Sequence, residues 1–205
     1  MKPPLPHLHA VTDERVARRP DLESVATALA QGGGADLAFH ARGRTLSGLE
    51  HFQLAHRLNH PPARLFVNDR LDVALTVPAA GVQLGAGSLS PADARGMGRE
   101  WWIGCSVHDA GEAKAARLAG ADYLVAGPVF QTASHPDETR APLGLGQLSD
   151  IVTIGLPVIA IGGITADRVR EVRATGAYGV AAIRALWDAT DPAATAAMMA
   201  GACTA

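Results

Sequence analysis

The stretch PVIAIGGIT, Pro157 to Thr165, is an apolar run that ends in two glycines, Gly162 and Gly163, before a polar turn. Glycine lacks a Cβ, so backbone N–H groups there can come close to a ligand, and a helix beginning just beyond adds its positive end. That combination suits a phosphate. Arg184, at the end of the next apolar run, brings a fixed positive charge to the same place. Three histidines, His40, His108 and His135, follow other apolar runs, and imidazole gains or loses a proton near neutral pH, which suits general acid-base work. Ser106 and His108, two apart on one run, share a face with backbones roughly 7 Å apart. No G-x-S-x-G turn surrounds Ser106 and no Asp is evidently placed to orient His108, which argues against a Ser-His-Asp hydrolase.

These residues sit on a repeating frame. Eight short apolar runs alternate with Ala-rich stretches at helical spacing: Leu8 to Asp13, Asp36 to Arg42, Ala63 to Asp69, Gly81 to Gly85, Trp101 to His108, Asp122 to Val129, Pro157 to Ile164 and Gly179 to Leu186. Runs that are continuous rather than alternating point to a parallel sheet buried on both faces, with helices as crossovers. Capping residues such as Ser90-Pro91 and Thr165 introduce helices, and glycines such as Gly120 and Gly176 close them. Eight strand-helix units in 205 residues predict an α/β fold, a single (β/α)8 TIM barrel over residues 1–205. A doubly wound open sheet is the alternative, but no GxGxxG turn follows the first strand. In a barrel the loops after the strands build the active face, and those after strands seven and eight often hold phosphate. The predicted strand ends carry His40 and Arg42, Asn68 and Asp69, Gln83, Ser106 and His108, the glycine pair, and Ile183 and Arg184. His51, His56 and His60 fall on the second helix or just beyond it and are expected at the surface.

Composition narrows the function classes. With 48% apolar residues, 19% charged residues, a formal net charge of -2 and no Lys/Arg run, nothing favours nucleic acid as a partner. The two cysteines, Cys105 and Cys203, form neither a disulfide framework nor a metal-ligand pattern, which agrees with a reducing, cytoplasmic setting. No window reaches the roughly 20 apolar residues of a membrane span. Trp101 and Trp102 open strand five with opposite facings, one toward the barrel interior or its lower rim, the other toward the helices or a partner subunit.

The segments VNDRLDVAL, GVQLGAGSLSP, GCSVH, ADYLVAGPVFQTASH, APLGL and VIAIGGI occur in the order seen in thiamine-phosphate synthases and their relatives, the thiazole tautomerases, and the chain resembles that superfamily over nearly its whole length. The resemblance implies a compact barrel, assembly as a homodimer, and a thiazole phosphate ligand held at its phosphate by the backbone near Gly162, Gly163 and Ile183. It also implies that Asn68-Asp69 matches the synthases' Asn-Asp pair, in which the Asp binds magnesium. Arg42-Gly43-Arg44 matches their basic R-x-K segment, with His40-Ala41 in place of the preceding glutamine-leucine.

Two departures favour the tautomerase branch. Ser88 stands where the synthases carry a second metal-binding Asp, and magnesium prefers anionic oxygen. Thr132, Ser134 and His135 fill a loop whose lysine is absent. The expected activity is therefore thiazole tautomerase, an isomerase needing no cofactor, with His135, His40 or His108 moving the proton, because Pro128 occupies the position of the tautomerases' own histidine. Thr132, Ser134 and Ser106 are expected to bind the ligand. The alternatives are a magnesium-dependent thiamine-phosphate synthase, with Asp69 as its metal ligand, and a thiazole-phosphate-binding or regulatory protein without turnover.

Overall fold

A computed structural model describes residues 2–132 and 141–204. Eight parallel strands, β1 (Leu8–Val11), β2 (Leu37–Ala41), β3 (Arg64–Asn68), β4 (Gly81–Leu84), β5 (Trp102–Val107), β6 (Tyr123–Ala126), β7 (Val158–Ile161) and β8 (Gly179–Ala182), follow one another around a closed barrel. Leu8 pairs with Leu37 on one side and with Val180 on the other, so the first strand closes against the last. Every residue of β1, β2, β4, β6 and β8 is buried, as apolar runs covered on both faces require. Each strand lies within its predicted run and is shorter. The surplus polar residues, among them Asp13, Arg42, Asp69 and His108, become the loops at the strand ends.

Described helices fill the crossovers: α1 (Glu14–Ala17), α2 (Leu22–Gly33), α3 (Gly48–Arg57), α4 (Leu71–Ala74), α5 (Pro91–Gly96), α6 (Ala110–Leu118), α7 (Gly144–Val152), α8 (Val169–Arg173), α9 (Arg184–Trp187) and α10 (Pro192–Thr204). Ser90 caps α5 as predicted, its hydroxyl accepting from Asp93 N–H while the Asp93 carboxylate returns the bond to Ser90 N–H, with Pro91 at the first helical position. Ser47 and Glu50 do the same for α3.

Three local expectations need correction. The helix predicted directly after Thr165 opens as a 3-10 turn, Ala166–Arg168, before the five-residue α8, and the Thr165 hydroxyl does not cap it. The run predicted as strand through Leu186 stops at Ala182, because Arg184–Trp187 is a helical turn. His51 is buried, its Nε2 2.9 Å from the Ala41 carbonyl oxygen, which satisfies a carbonyl at the end of β2; His56 is exposed as expected, and His60 is half-buried. Trp102 meets the lower end of the barrel, within the range expected for one of the two tryptophans, donating from Nε1 to the Pro3 carbonyl at 2.9 Å beneath the Lys2 ammonium.

The same segment closes the lower end of the barrel. Leu5 is buried, its carbonyl accepts from the Tyr178 hydroxyl at 2.7 Å, and the His7 ring stacks on Tyr178 with 4.3 Å between centroids.

Candidate active site

A cavity of about 1230 Å³ opens at the C-terminal ends of the strands, large enough for two small substrates side by side. On one arc of its rim lie Arg42 and Arg44 after β2, then Asn68 and Asp69 at the end of β3. Arg42 is partly buried, and burial, then the neighbouring Arg44, holds its pKa below the usual guanidinium value. Asp69 has a left-handed backbone, φ 61°, the only positive φ outside glycine among the described residues. That turn aims its Oδ1 at the Gly85 N–H, 2.9 Å away, and at the Ser88 hydroxyl, which donates to it.

On a second arc, Gly162 and Gly163 end β7 with φ values of 101° and 65°, and Ile183 and Arg184 follow β8. A Cβ on Gly163 would stand 2.6 Å from the Gln131 carbonyl oxygen, and one on Gly162 would stand 2.6 Å from Pro128 Cα. The glycines therefore let the loop after β6 lie across the turn, where Phe130 N–H donates to the Gly162 carbonyl at 3.0 Å. Arg168, to which sequence reasoning assigned nothing, donates to the Gly163 carbonyl at 2.9 Å with its guanidinium 4.4 Å above the Phe130 ring. Its only signal in the sequence is its place five residues beyond a glycine turn.

The floor is polar. Ser106 lines the cavity and its hydroxyl accepts from Gln83 Nε2 at 3.0 Å. His108 also lines the cavity, with its backbone N–H and Nδ1 2.8 and 2.9 Å from Glu112 Oε2 at the start of α6. His40 faces the cavity floor but is only 1% exposed. Its two ring nitrogens are engaged by His9 and Asn68, and burial lowers its pKa to about 4. His40 is therefore not presented as an open proton shuttle. Thr132 lines the cavity; Ser134 and His135 lie outside the described residues.

These buried imidazoles predict a pH dependence of stability. Burial holds His9 well below 6.5 and His40 at about 4, so the unfolded chain binds more protons than the folded one across that interval. The stabilisation is complete above pH 6.5 and is lost as pH falls toward 4, by about 3 kcal/mol for His40 alone. Asp72, held at about 2 by Arg70, weakens the fold only at lower pH, as it is protonated below its ordinary 3.8. Urea unfolding at steps between about pH 7 and about pH 4 should show this loss, and His40→Gln should remove the share due to His40.

Residues 8–186 match the model of the family described as thiamine monophosphate synthase. The chain belongs to that family. It is 39% identical over 200 residues to the thiamine-phosphate synthase of Chlorobium phaeobacteroides, covering 94% of this chain and 93% of that one. It is 40% identical over 189 residues to the thiamine-phosphate synthase of Pyrococcus furiosus, covering 90% and 88%. The solved structure of thiamine phosphate pyrophosphorylase from Pyrococcus furiosus superposes with a TM-score of 0.74 at 35% identity, covering 96% of this chain and 95% of that one.

Membership of the thiamine monophosphate synthase family through relatives so named overturns the tautomerase reading. That reading weighed Ser88 and the Thr132 to His135 segment more heavily than similarity spread over the barrel. With it goes the isomerase activity. Among the described residues no helix is long and apolar enough to cross a membrane.

Proposed function

We propose that the chain is a thiamine-phosphate synthase, a transferase that joins an aminopyrimidine carrying a pyrophosphate ester to a thiazole phosphate and releases pyrophosphate. The observation that carries this reading is the cavity's two anion-binding arcs: Arg42 and Arg44 beside Asp69 on one, the glycine turn with Arg184 on the other. Joining two anionic substrates requires both to be held at once with their uncharged ends facing, which converts a collision between like charges into a reaction within one cavity.

The residues of the first arc fit magnesium in one form. No cluster of three or more His, Cys, Asp or Glu side chains is placed to hold a metal among the described residues. Magnesium, however, keeps several waters and is commonly held by one or two carboxylates together with substrate phosphates. Asp69 and the Ser88 hydroxyl would hold it, with the substrate's pyrophosphate completing the set. Bound there, magnesium neutralises charge on the departing pyrophosphate.

The chain's own groups do the rest. Arg42, permanently charged and partly withdrawn from water, grips phosphate oxygens with a planar fork of donors, and Arg44 adds charge at the exposed rim. As the bond from carbon to the pyrophosphate oxygen breaks with its electron pair, these cations stabilise the charge that builds on that oxygen. Gly162 and Gly163 bring backbone against the thiazole phosphate, and the short helical turn starting at Arg184 points its N-terminus at the same space.

The test is direct. Purified protein incubated with the pyrimidine pyrophosphate, the thiazole phosphate and excess magnesium is expected to form thiamine phosphate and pyrophosphate in equal amounts. Binding of thiazole phosphate with no product would replace the synthase with a binding protein.

A further inference from the structure

Inside the barrel a line of polar side chains runs from the closed lower end to the cavity floor. His9 Nε2 lies 2.9 Å from the Pro6 carbonyl oxygen, and His9 Nδ1 lies 2.7 Å from His40 Nε2. His40 Nδ1 in turn lies 3.0 Å from Asn68 Oδ1. His9 and His40 are 0% and 1% exposed, so these partners rather than bulk water define the state of both rings. Phe66 stacks on His40 at 5.1 Å and 17°, which holds that ring in its plane.

The protons in this line follow from what each atom can do. A carbonyl oxygen only accepts, so the His9 proton sits on Nε2 and its Nδ1 carries a lone pair. His40 Nε2 must then donate to it. In a neutral ring that leaves His40 Nδ1 as an acceptor, and an acceptor does not bond to a carbonyl oxygen. A second proton on His40 would remove the conflict, but burial opposes it most strongly and outweighs the Asn68 contact that favours it, with Arg42 adding to the opposition and the ring held at about 4. The remaining solution is rotation of the Asn68 amide, whose oxygen and nitrogen are nearly identical in shape and are told apart by their bonding network.

We infer that Asn68 turns its NH2 group toward His40 and its carbonyl oxygen into the cavity, and that His9, acting through His40, is the positioning residue that makes this point of the floor an acceptor. The ligand group that matches it is an N–H donor. This rests on the synthase reading for the identity of the donor: the exocyclic amino group of the pyrimidine substrate belongs to that class, whereas a thiazole ring carries no N–H. The tie from His9 through His40 therefore fixes which face of the Asn68 amide the pyrimidine meets.

Two measurements test this. Nitrogen NMR of the wild-type protein labelled at histidine and asparagine, near neutral pH with and without inorganic pyrophosphate, reads the tautomers directly. The expected spectrum shows His9 and His40 each protonated at Nε2 alone, with the Asn68 NH2 correlated to His40 Nδ1. A proton on His40 Nδ1 in either condition would overturn the inference. The second is His9→Phe, which keeps a ring against Phe66 and Tyr123 but removes the acceptor for His40. Its KM for the pyrimidine pyrophosphate should rise about tenfold, with kcat and the KM for thiazole phosphate within about twofold of wild type. A kcat loss, or an equal rise in both KM values, would overturn the positioning role. If wild-type protein makes no thiamine phosphate, the synthase reading fails while the spectrum still settles the amide; if the variant does not fold, the wild-type spectrum alone decides.

Discussion

Asp69→Asn is expected to lower thiamine phosphate formation by about a thousandfold while leaving the fold intact. Asparagine is, after glycine, among the residues most tolerant of left-handed backbone, so the φ of 61° costs little after the change. Its side-chain oxygen can also keep the bond from the Gly85 N–H. What disappears is the negative charge, and Asp69 is the carboxylate bonded to Ser88, the residue standing where the synthases carry a second Asp. With a single carboxylate at that point, magnesium has no anionic protein ligand left there and must be held by substrate alone. Steady-state rates over a magnesium titration, with a urea-unfolding curve alongside, check both halves. An activity close to wild type would move the metal site away from Asp69.

Gly163→Ala should weaken thiazole phosphate binding about a hundredfold and cost about 1–3 kcal/mol of stability. Two effects combine. The φ of 65° is strained for alanine, which lacks the local side-chain hydrogen bonding that lets Asn and Asp occupy this region, and the new Cβ would stand 2.6 Å from the Gln131 carbonyl oxygen and 2.8 Å from Phe130 Cβ. The loop after β6 must therefore shift, and with it the surface offered to phosphate. Gly120→Ala is the control, since its φ of 93° imposes strain but a Cβ there meets nothing within 4 Å and the residue does not line the cavity. It should lose stability without losing affinity. Calorimetric titration with thiazole phosphate separates the two, and equal affinity losses in both variants would refute the phosphate cradle.

The frame of this protein was legible because a parallel barrel writes itself as eight apolar runs, and their polar ends are where the chain leaves the sheet. PVIAIGGIT illustrates this: Val158–Ile161 form the strand, and the glycines follow at once. Of the fourteen candidate site residues, all but Ser134 and His135, which lie outside the described residues, line the one cavity. Less legible was the inward-facing polar layer. His9 and Gln83 occupy ordinary strand positions, and alternation cannot say which polar residue is tied to another strand across a barrel. His51 misled because a histidine on a helix reads as surface until the carbonyl it satisfies, that of Ala41, is brought beside it. The branch of the superfamily misled for a different reason. Ser88 was read as the loss of a ligand, whereas in the fold it donates to Asp69 and joins the remaining carboxylate.

The pairing of β1 with β8 bears on how the chain is made. Leu8 finds Val180 only after nearly all of the sequence has been synthesised, and until then β1 and the most recently formed strand both present unpaired N–H and C=O groups. A nascent chain of this kind carries two adhesive margins that the finished ring lacks. Crowded polysomes, high expression and cold-slowed synthesis should therefore favour its aggregation far more than storage of the closed protein does.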